Sequence, residues 1–342
     1  FSSSSSRRRR RRRTDDASRH NRTATRRGDE ESVMILVPIS RTNPRRHARL
    51  VRLVLSLSYP RRALHATMLV DDASRAIVTA ARRNLTRAPP GQEHGLASVR
   101  VVVEPASLAR ERRRVEAHPF YDRHDLVHQR RRRVVIAKAR NYLAFVALGG
   151  TDDLYAAVDW ALWLDSDLYR VPPDLVQALR ASMKDLVVPA CYCRSDEANP
   201  VCGRDHIYDR NSWRDTRAAK DLVRGLEQNG TIGRDAVIVR GYDVEQWVAT
   251  PYQIVGDVVT LAEKPLFLDD LKRRSNGTNT TLVPLDAVGA TCILVRADLH
   301  RQGLIFPPFP VKHYVESEGL VQVAKYMGVR AYGRIDLRIE HA

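Results

Sequence analysis

Trp160-Ala161-Leu162-Trp163-Leu164-Asp165-Ser166-Asp167 decides how this chain is read. Five apolar residues in succession, with no polar interruption, have the pattern of a strand buried on both faces. The run stops at two aspartates one residue apart. In extended geometry residues i and i+2 point to the same side, so Asp165 and Asp167 converge. Two carboxylates held so close repel unless a cation or protons intervene. A divalent ion with oxygen ligands resolves the conflict and can also grip a diphosphate. The plainer alternative is a helix cap followed by a turn.

Outward from this strand, apolar runs and helical spacings alternate. Val33–Ile39 is a short apolar run containing Pro38, expected as a buried strand. Arg45–Leu57 carries apolar residues at 50, 51, 54, 55 and 57, a helical spacing that starts after Asn43-Pro44. Ala66–Val70 and Val99–Val103 are further expected strands, the first ending in Asp71-Asp72, with a helix from Ser74. Leu108–Arg133 is highly charged and reads as a loop or exposed helix, and Val134–Leu148 as a helix. A helix from Pro173 to Met183 and a strand from Leu186 to Pro189 follow. Residues 190–284 are less regular, and Asn276–Thr281 reads as an exposed loop. Leu285–Val295 rejoins the core, Glu318–Met327 reads as a helix, and a final strand runs from Val329 towards His341.

This alternation implies an α/β fold with a doubly wound, mostly parallel sheet flanked by helices, in which ligands bind beyond the carboxyl ends of the strands. Pro38-Ile39-Ser40, Asp71-Asp72 and Asp165-Ser166-Asp167 all fall at such ends. Asp71 or Asp72 is placed to accept hydrogen bonds from a nucleoside, or to cap the helix at Ser74. Lys138 and Arg140 are read as beginning a helix whose positive end favours a diphosphate, or as a solvated basic face. The organisation expected is a basic tail over residues 1–32, disordered, and one domain over 33–342. The nucleotide-sugar half of that domain spans 33–189 and the acceptor half 190–342.

The chain has 57 basic and 40 acidic residues among 342, a net charge of +17. Residues 1–27 hold eleven arginines, Arg7 to Arg13 consecutively, against Asp15 and Asp16, or about half the surplus. Such a run cannot pack into a core. It reads as a solvated linker, a segment beside an acidic membrane surface, or a nucleic-acid arm. Aromatic residues do not interleave with the arginines, which weakens the last reading. No stretch approaches the roughly 20 apolar residues of a membrane span. Among four cysteines, Cys191, Cys193 and Cys202 cluster without the C-x-x-C pairs of a zinc site. A bridge from Cys202 to Cys191 or Cys193 is the expected use.

The same stretches resemble a known family. Val33 to Ser74, with Pro38, Ser56-Leu57, Tyr59-Pro60 and Val70-Asp71-Asp72-Ala73-Ser74, is similar to the start of GT-A glycosyltransferases. Ala139-Arg140-Asn141, Trp163-Leu164-Asp165-Ser166-Asp167 and Tyr208-Asp209 before Asn211-Ser212-Trp213 narrow the likeness. So do Leu285-Asp286 before Val288-Gly289, His313 with Glu316-Ser317-Glu318-Gly319, Tyr332-Gly333 and His341. As a set, over about residues 33–341, they resemble the fungal Golgi α-mannosyltransferases of the mannan-polymerase complexes. The resemblance implies a GT-A fold, GDP-mannose as donor, a mannan or N-glycan oligosaccharide as acceptor, Mn²⁺ as cofactor and retention of configuration. It also implies a hetero-oligomer with related enzymes and no specific nucleic acid. A Golgi membrane location follows from it, type II with a lumenal catalytic domain and an anchor outside these residues.

By that likeness Asp165 and Asp167 are the metal and donor pair, His341 the distal metal ligand, and Asp71 or Asp72 a nucleoside contact. Arg140 lies on the donor side, with Pro38 and Ser40. Asp286, Glu316 and Glu318 are the candidate catalytic residues: Asp286 faces the reacting sugar or caps a turn. Glu316 and Glu318 bind acceptor hydroxyls or orient the donor, or sit in the first turn of a helix, where acids are favoured. Trp213 is a sugar-stacking wall or a core residue, and His313 an acceptor or structural residue. Two departures stand out. Ala287-Val288-Gly289-Ala290-Thr291 replaces Gly-Val-Gly-Gly-Thr, two methyl groups more, and Arg334-Ile335-Asp336 replaces Leu-Pro-Asn. The rival readings are a non-catalytic scaffold subunit and a GT-A enzyme for another nucleotide sugar.

Overall fold

Val33–Ile39 forms strand β1, and its alternate residues divide between two apolar cores. Met34 and Leu36 face one, while Val33, Ile35 and Val37 face the other. A strand buried on both sides needs an unbroken apolar run, which is what the sequence supplies. The computed structural model describes residues 30–39, 44–87, 95–117, 126–149, 158–194, 206–240, 250–276 and 278–342. The expected basic tail therefore lies largely outside the described residues. Ser32, assigned to that tail, belongs to the compact unit Ser32–Ala342. Its N–H and hydroxyl donate to Asp159 Oδ2 at 2.8 and 3.1 Å.

Helix α1 (Pro44–Ser56) opens on a proline at its first position and buries His47, Leu50, Val51, Leu53 and Val54 along one stripe. Strand β2 (Leu64–Val70) is wholly buried. A short 3₁₀ turn, Asp72–Ser74, leads into helix α2 (Arg75–Thr86). Strand β3 (Ser98–Val103) precedes helix α3 (Ala106–Glu116) and helix α4 (Leu126–Leu148). Strands β4 (Trp160–Leu164), β5 (Leu168–Arg170) and β6 (Leu186–Cys193) follow. The main sheet is completed by Leu282–Leu285, Cys292–Arg296 and the last strand, Ala331–His341.

The nine strands run in the order Leu282–Leu285, last strand, β6, Cys292–Arg296, β4, β1, β2, β3, with β5 against the last strand. Strands β1, β2, β3, β4, β6 and the last strand share one direction, and the other three oppose it. Helices α1 and α2 cover one face through Leu50, Val54, Val78 and Leu85. Helix α4 and the helix Glu316–Tyr326 cover the other through Ala137, Leu143, Leu320 and Ala324. This is the doubly wound arrangement expected. Among the described residues no helix is long and apolar enough to cross a membrane.

Two local expectations are corrected and a third is narrowed. The charged stretch 108–133 contains helix α3 and the start of α4, which begins at Leu126. Lys138 and Arg140 therefore lie inside a helix, and no helix dipole is offered at their position. Lys138 instead pairs with Glu111 at 2.7 Å. Second, β6 continues past Pro189 to Cys193. Proline has no N–H for the ladder, and the register of the last strand breaks opposite it, between Arg334 and Arg338. Arg334-Ile335-Asp336 occupies that break, closed by an Arg334–Asp336 pair at 2.7 Å. Third, of the two bridges expected from Cys202, the one through Cys191 is ruled out: Cys193 is disulfide-bonded, whereas Cys191 and Cys292 are buried free thiols.

Candidate active site

The last strand delivers His341 to the carboxyl end of β4. His341 pairs with Leu168 of β5 on one side and Cys193 of β6 on the other. Its carbonyl accepts from Arg194 N–H at 2.9 Å, and the following N–H, of Ala342, donates to the Asp167 carbonyl at 3.1 Å. Its ring stacks on Tyr208, centroids 3.6 Å apart and planes within 10°. Its Nε2 lies 2.9 Å from Asp167 Oδ1. Asp165 leaves β4 with its N–H donating to the Thr291 carbonyl at 2.9 Å. One ligand atom each from Asp165, Asp167 and His341 lie within 4.8 Å of one another.

The electrostatics of the trio agree with a cation site. Burial pushes the Asp165 carboxyl above its usual range; the Arg140 charge opposes the rise and Asp167 adds to it. Burial also acts on Asp167, but the hydrogen bond and charge of His341, helped by Arg46, hold it below the usual range. Burial pulls the His341 imidazole down, yet Asp167 and Asp165 carry it above its ordinary value. Two carboxylates and an imidazole are a donor set that Mn²⁺ accepts. A dication relieves the Asp165–Asp167 repulsion, so the residues present fit one.

Around the trio stand cations. Arg140 Nη2 donates to Asp165 Oδ1 at 3.0 Å, and Nη1 donates to Glu316. The guanidinium lies over the Phe306 ring at 5.5 Å, and its Nε–H is buried without a partner. Arg46, from the first turn of α1, lies 3.7 Å from Asp167. At the end of β2, Asp71 Oδ1 accepts from Ser74 N–H at 2.7 Å and so caps the turn, while Asp72 is exposed. Pro38 is half-buried next to the end of β1, and Ser40 lies outside the described residues.

Other expected site residues are placed elsewhere, each for a visible reason. Trp213 is fully buried against Tyr314, ring centroids 5.5 Å apart, so it is a core residue with no face for a sugar. The buried His313 has both ring nitrogens engaged, with the Ala236 carbonyl at 3.0 Å and Glu227 at 2.9 Å. Asp286 is held by Lys220 at 2.7 Å and Lys325 at 3.0 Å. Burial pushes its carboxyl up, but those two lysines outweigh it and keep the group below its usual range. Glu318 is fully buried and bridged to Arg133 at 2.5 Å. Only Glu316 of the three candidate acids reaches the trio, and it does so through Arg140.

Asp209 went unassigned in the sequence. Its buried carboxyl is pushed up to about 6 by burial, against hydrogen bonds from Asn211 N–H and the Thr291 side chain, with Asp165 and His341 nearby. A Cβ built on Gly289 lies 1.7 Å from Asp209 Oδ1, so only glycine fits there. The neighbouring Ala287 and Ala290 are accommodated as buried core residues. The single glycine kept between them is thus the one whose Cα the carboxylate touches.

Residues 13–310 match the family model described as Anp1, a match that starts upstream of the likeness at Val33. The chain belongs to the Anp1 family. One Anp1-type relative, "Mannan polymerase complex subunit mnn9" of Schizosaccharomyces pombe, is 30% identical over 312 residues, covering 89% of this chain and 78% of that protein. "Mannan polymerase complex subunit MNN9" of Candida albicans is 27% identical over 318 residues, covering 91% and 74%. Among solved structures, a mannosyltransferase from Pyrobaculum calidifontis in complex with GDP-Man and Mn²⁺ shares 12% identity. That alignment covers 92% of this chain and 58% of the other, at a TM-score of 0.39. The Anp1-family chain has a doubly wound, mostly parallel α/β fold, with its paired aspartates at the end of a central strand.

Proposed function

We propose that this Anp1-family chain is a metal-dependent, retaining α-mannosyltransferase. It transfers mannose from GDP-mannose to a mannan or N-glycan acceptor, working in the Golgi lumen with related subunits. The observation that carries the reading is the Asp165–Asp167–His341 trio, assembled from β4, the turn after it and the last strand. These three residues would hold Mn²⁺. When bound, such an ion supplies positive charge that eases departure of a nucleoside diphosphate. Arg140 carries a second positive charge beside Asp165. Asp72 is exposed at the end of β2 and would accept hydrogen bonds from the nucleoside. The relatives' names, mannan polymerase complex subunits, support both the sugar and the hetero-oligomer.

The test is hydrolysis and transfer with a panel of nucleotide sugars, with Mn²⁺ and with chelator. GDP release from GDP-mannose should require the metal. Asp165→Asn and Asp167→Asn, each removing one ligand charge, should abolish it while circular dichroism in chelator shows the parental fold. Near-parental turnover in both variants refutes the metal role. Absence of turnover with every donor, alone and with partner subunits, assigns the chain a scaffold role instead.

A further inference from the structure

Arg140 is divided between two carboxylates, Asp165 and Glu316. Glu316 is buried, and both of its oxygens are engaged: Oε1 accepts from Arg140, and Oε2 from the Ser317 hydroxyl at 2.7 Å. Its backbone has φ of 56°, in the left-handed region that side chains rarely adopt. The strain is held in place by its own N–H, which donates to the Pro307 carbonyl at 2.9 Å. Seven residues before Arg140 on α4, Arg133 makes the parallel clamp to Glu318. Helix Glu316–Tyr326 is therefore bound to α4 twice, but only the Glu316 clamp leads on to the carboxylate pair.

We propose that Glu316 is a positioning residue that tunes cation affinity through Arg140. The inference rests on the reading that Asp165, Asp167 and His341 hold a divalent ion. A buried guanidinium needs a counter-charge. With Glu316 present, that counter-charge is already supplied, and Asp165 keeps its anionic character for a metal. Without it, Arg140 takes Asp165 as its sole carboxylate partner, and an entering dication must compete with a full ion pair in a low-dielectric site. Glu316 is buried with Arg140 on one oxygen and the Ser317 hydroxyl on the other, which suits a positioning role.

The experiment is isothermal titration of Mn²⁺ into the full metal-free chain, comparing parent, Glu316→Gln, Arg140→Gln and the double variant, with Glu318→Gln as control. Glu316→Gln keeps the shape and removes the charge; its Kd for Mn²⁺ should rise about tenfold. Arg140→Gln should bind at least as tightly as the parent, and adding Glu316→Gln to it should change Kd by no more than about twofold. Glu318→Gln should lower the melting temperature yet leave Kd within about twofold. An unchanged Kd in Glu316→Gln overturns the inference, as does the same tenfold loss in the Arg140→Gln background. Should Glu316→Gln not fold, Arg140→Gln alone decides: weaker binding than the parent overturns it. A parent chain that binds no Mn²⁺ sinks the metal reading along with this one, and is told apart by that first titration.

Discussion

Gly289→Ala adds one methyl group at the most crowded backbone position near the site. The new Cβ would stand 1.7 Å from Asp209 Oδ1, 2.0 Å from Oδ2 and 2.1 Å from Cγ, far inside contact distance. A carboxylate at a free surface would swing aside. Asp209 is only 6% exposed, and its Oδ1 accepts from the Asn211 N–H at 3.1 Å. Gly289 is pinned as well, its N–H donating to the Ser212 hydroxyl at 2.8 Å. Relief requires either breaking the Asp209 bonds or shifting the 287–291 backbone, whose Thr291 carbonyl positions Asp165. Overpacking of this kind costs about 1–3 kcal/mol, and the doubly pinned geometry places it near 3. For a chain of this size that is a fall in melting temperature of roughly 4 °C. Thermal denaturation in chelator measures it, with Ala290→Gly as a reference for simple loss of a buried methyl. A Gly289→Ala protein melting within about 2 °C of the parent refutes the argument.

Asp209 also gives a pH signature. Its carboxyl is raised from 3.8 to about 6, so the folded state binds the proton more tightly than the unfolded one, and stability falls as pH rises through that window. The loss is roughly 3 kcal/mol, complete above about pH 6. Asp209→Asn should therefore be more stable than the parent at pH 7.5 without metal, with the gap closing towards pH 4; a pH-independent gap would count against it. His341→Ala should raise the Mn²⁺ concentration needed for half-maximal turnover, and an unchanged metal titration would rule the ligand role out. The same variant should lose stability in chelator. Because Asp167 raises the imidazole above 6.5, that loss is full below pH 6.5 and fades as pH climbs past the raised value, which urea unfolding at pH 5.5 and 8.5 will show.

Strands β1 and β4 were legible to the residue, because an unbroken apolar run between polar ends has one reading. The start of α4 was not. Its buried side includes Gln129, Arg133 and Arg140, so the helix hides charges and the hydrophobic period that betrays a helix is lost. Pro189 masked the far half of β6, since nothing local announces a bulge in a partner strand lying more than a hundred residues away. In the site, the aspartate pair could be read from spacing alone, and His341 came from family resemblance. Tyr208, Arg46 and Asp209 carry no local mark; each acquires its role from a tertiary contact. Trp213 and His313 each kept two readings because an aromatic or a histidine looks the same in sequence whether its ring faces solvent or core, and the structure buries both.

His341, the proposed third ligand, sits half a chain away from Asp165 and Asp167, and it arrives only when the last strand has been laid between β5, β6 and Leu282–Leu285. A folding intermediate that has built the β1–β4 half possesses both aspartates and still lacks the imidazole. On the proposed metal reading, such an intermediate would grip a dication weakly, while the finished protein would gain stability with every tenfold rise in free metal. The ion would thereby serve as an inspector of long-range topology: in a metal-replete compartment, occupancy of the site would certify that the most distant strand pairing has been made. Proteolysis confined to the last strand should then slow as Mn²⁺ is raised, at the concentrations that fill the site.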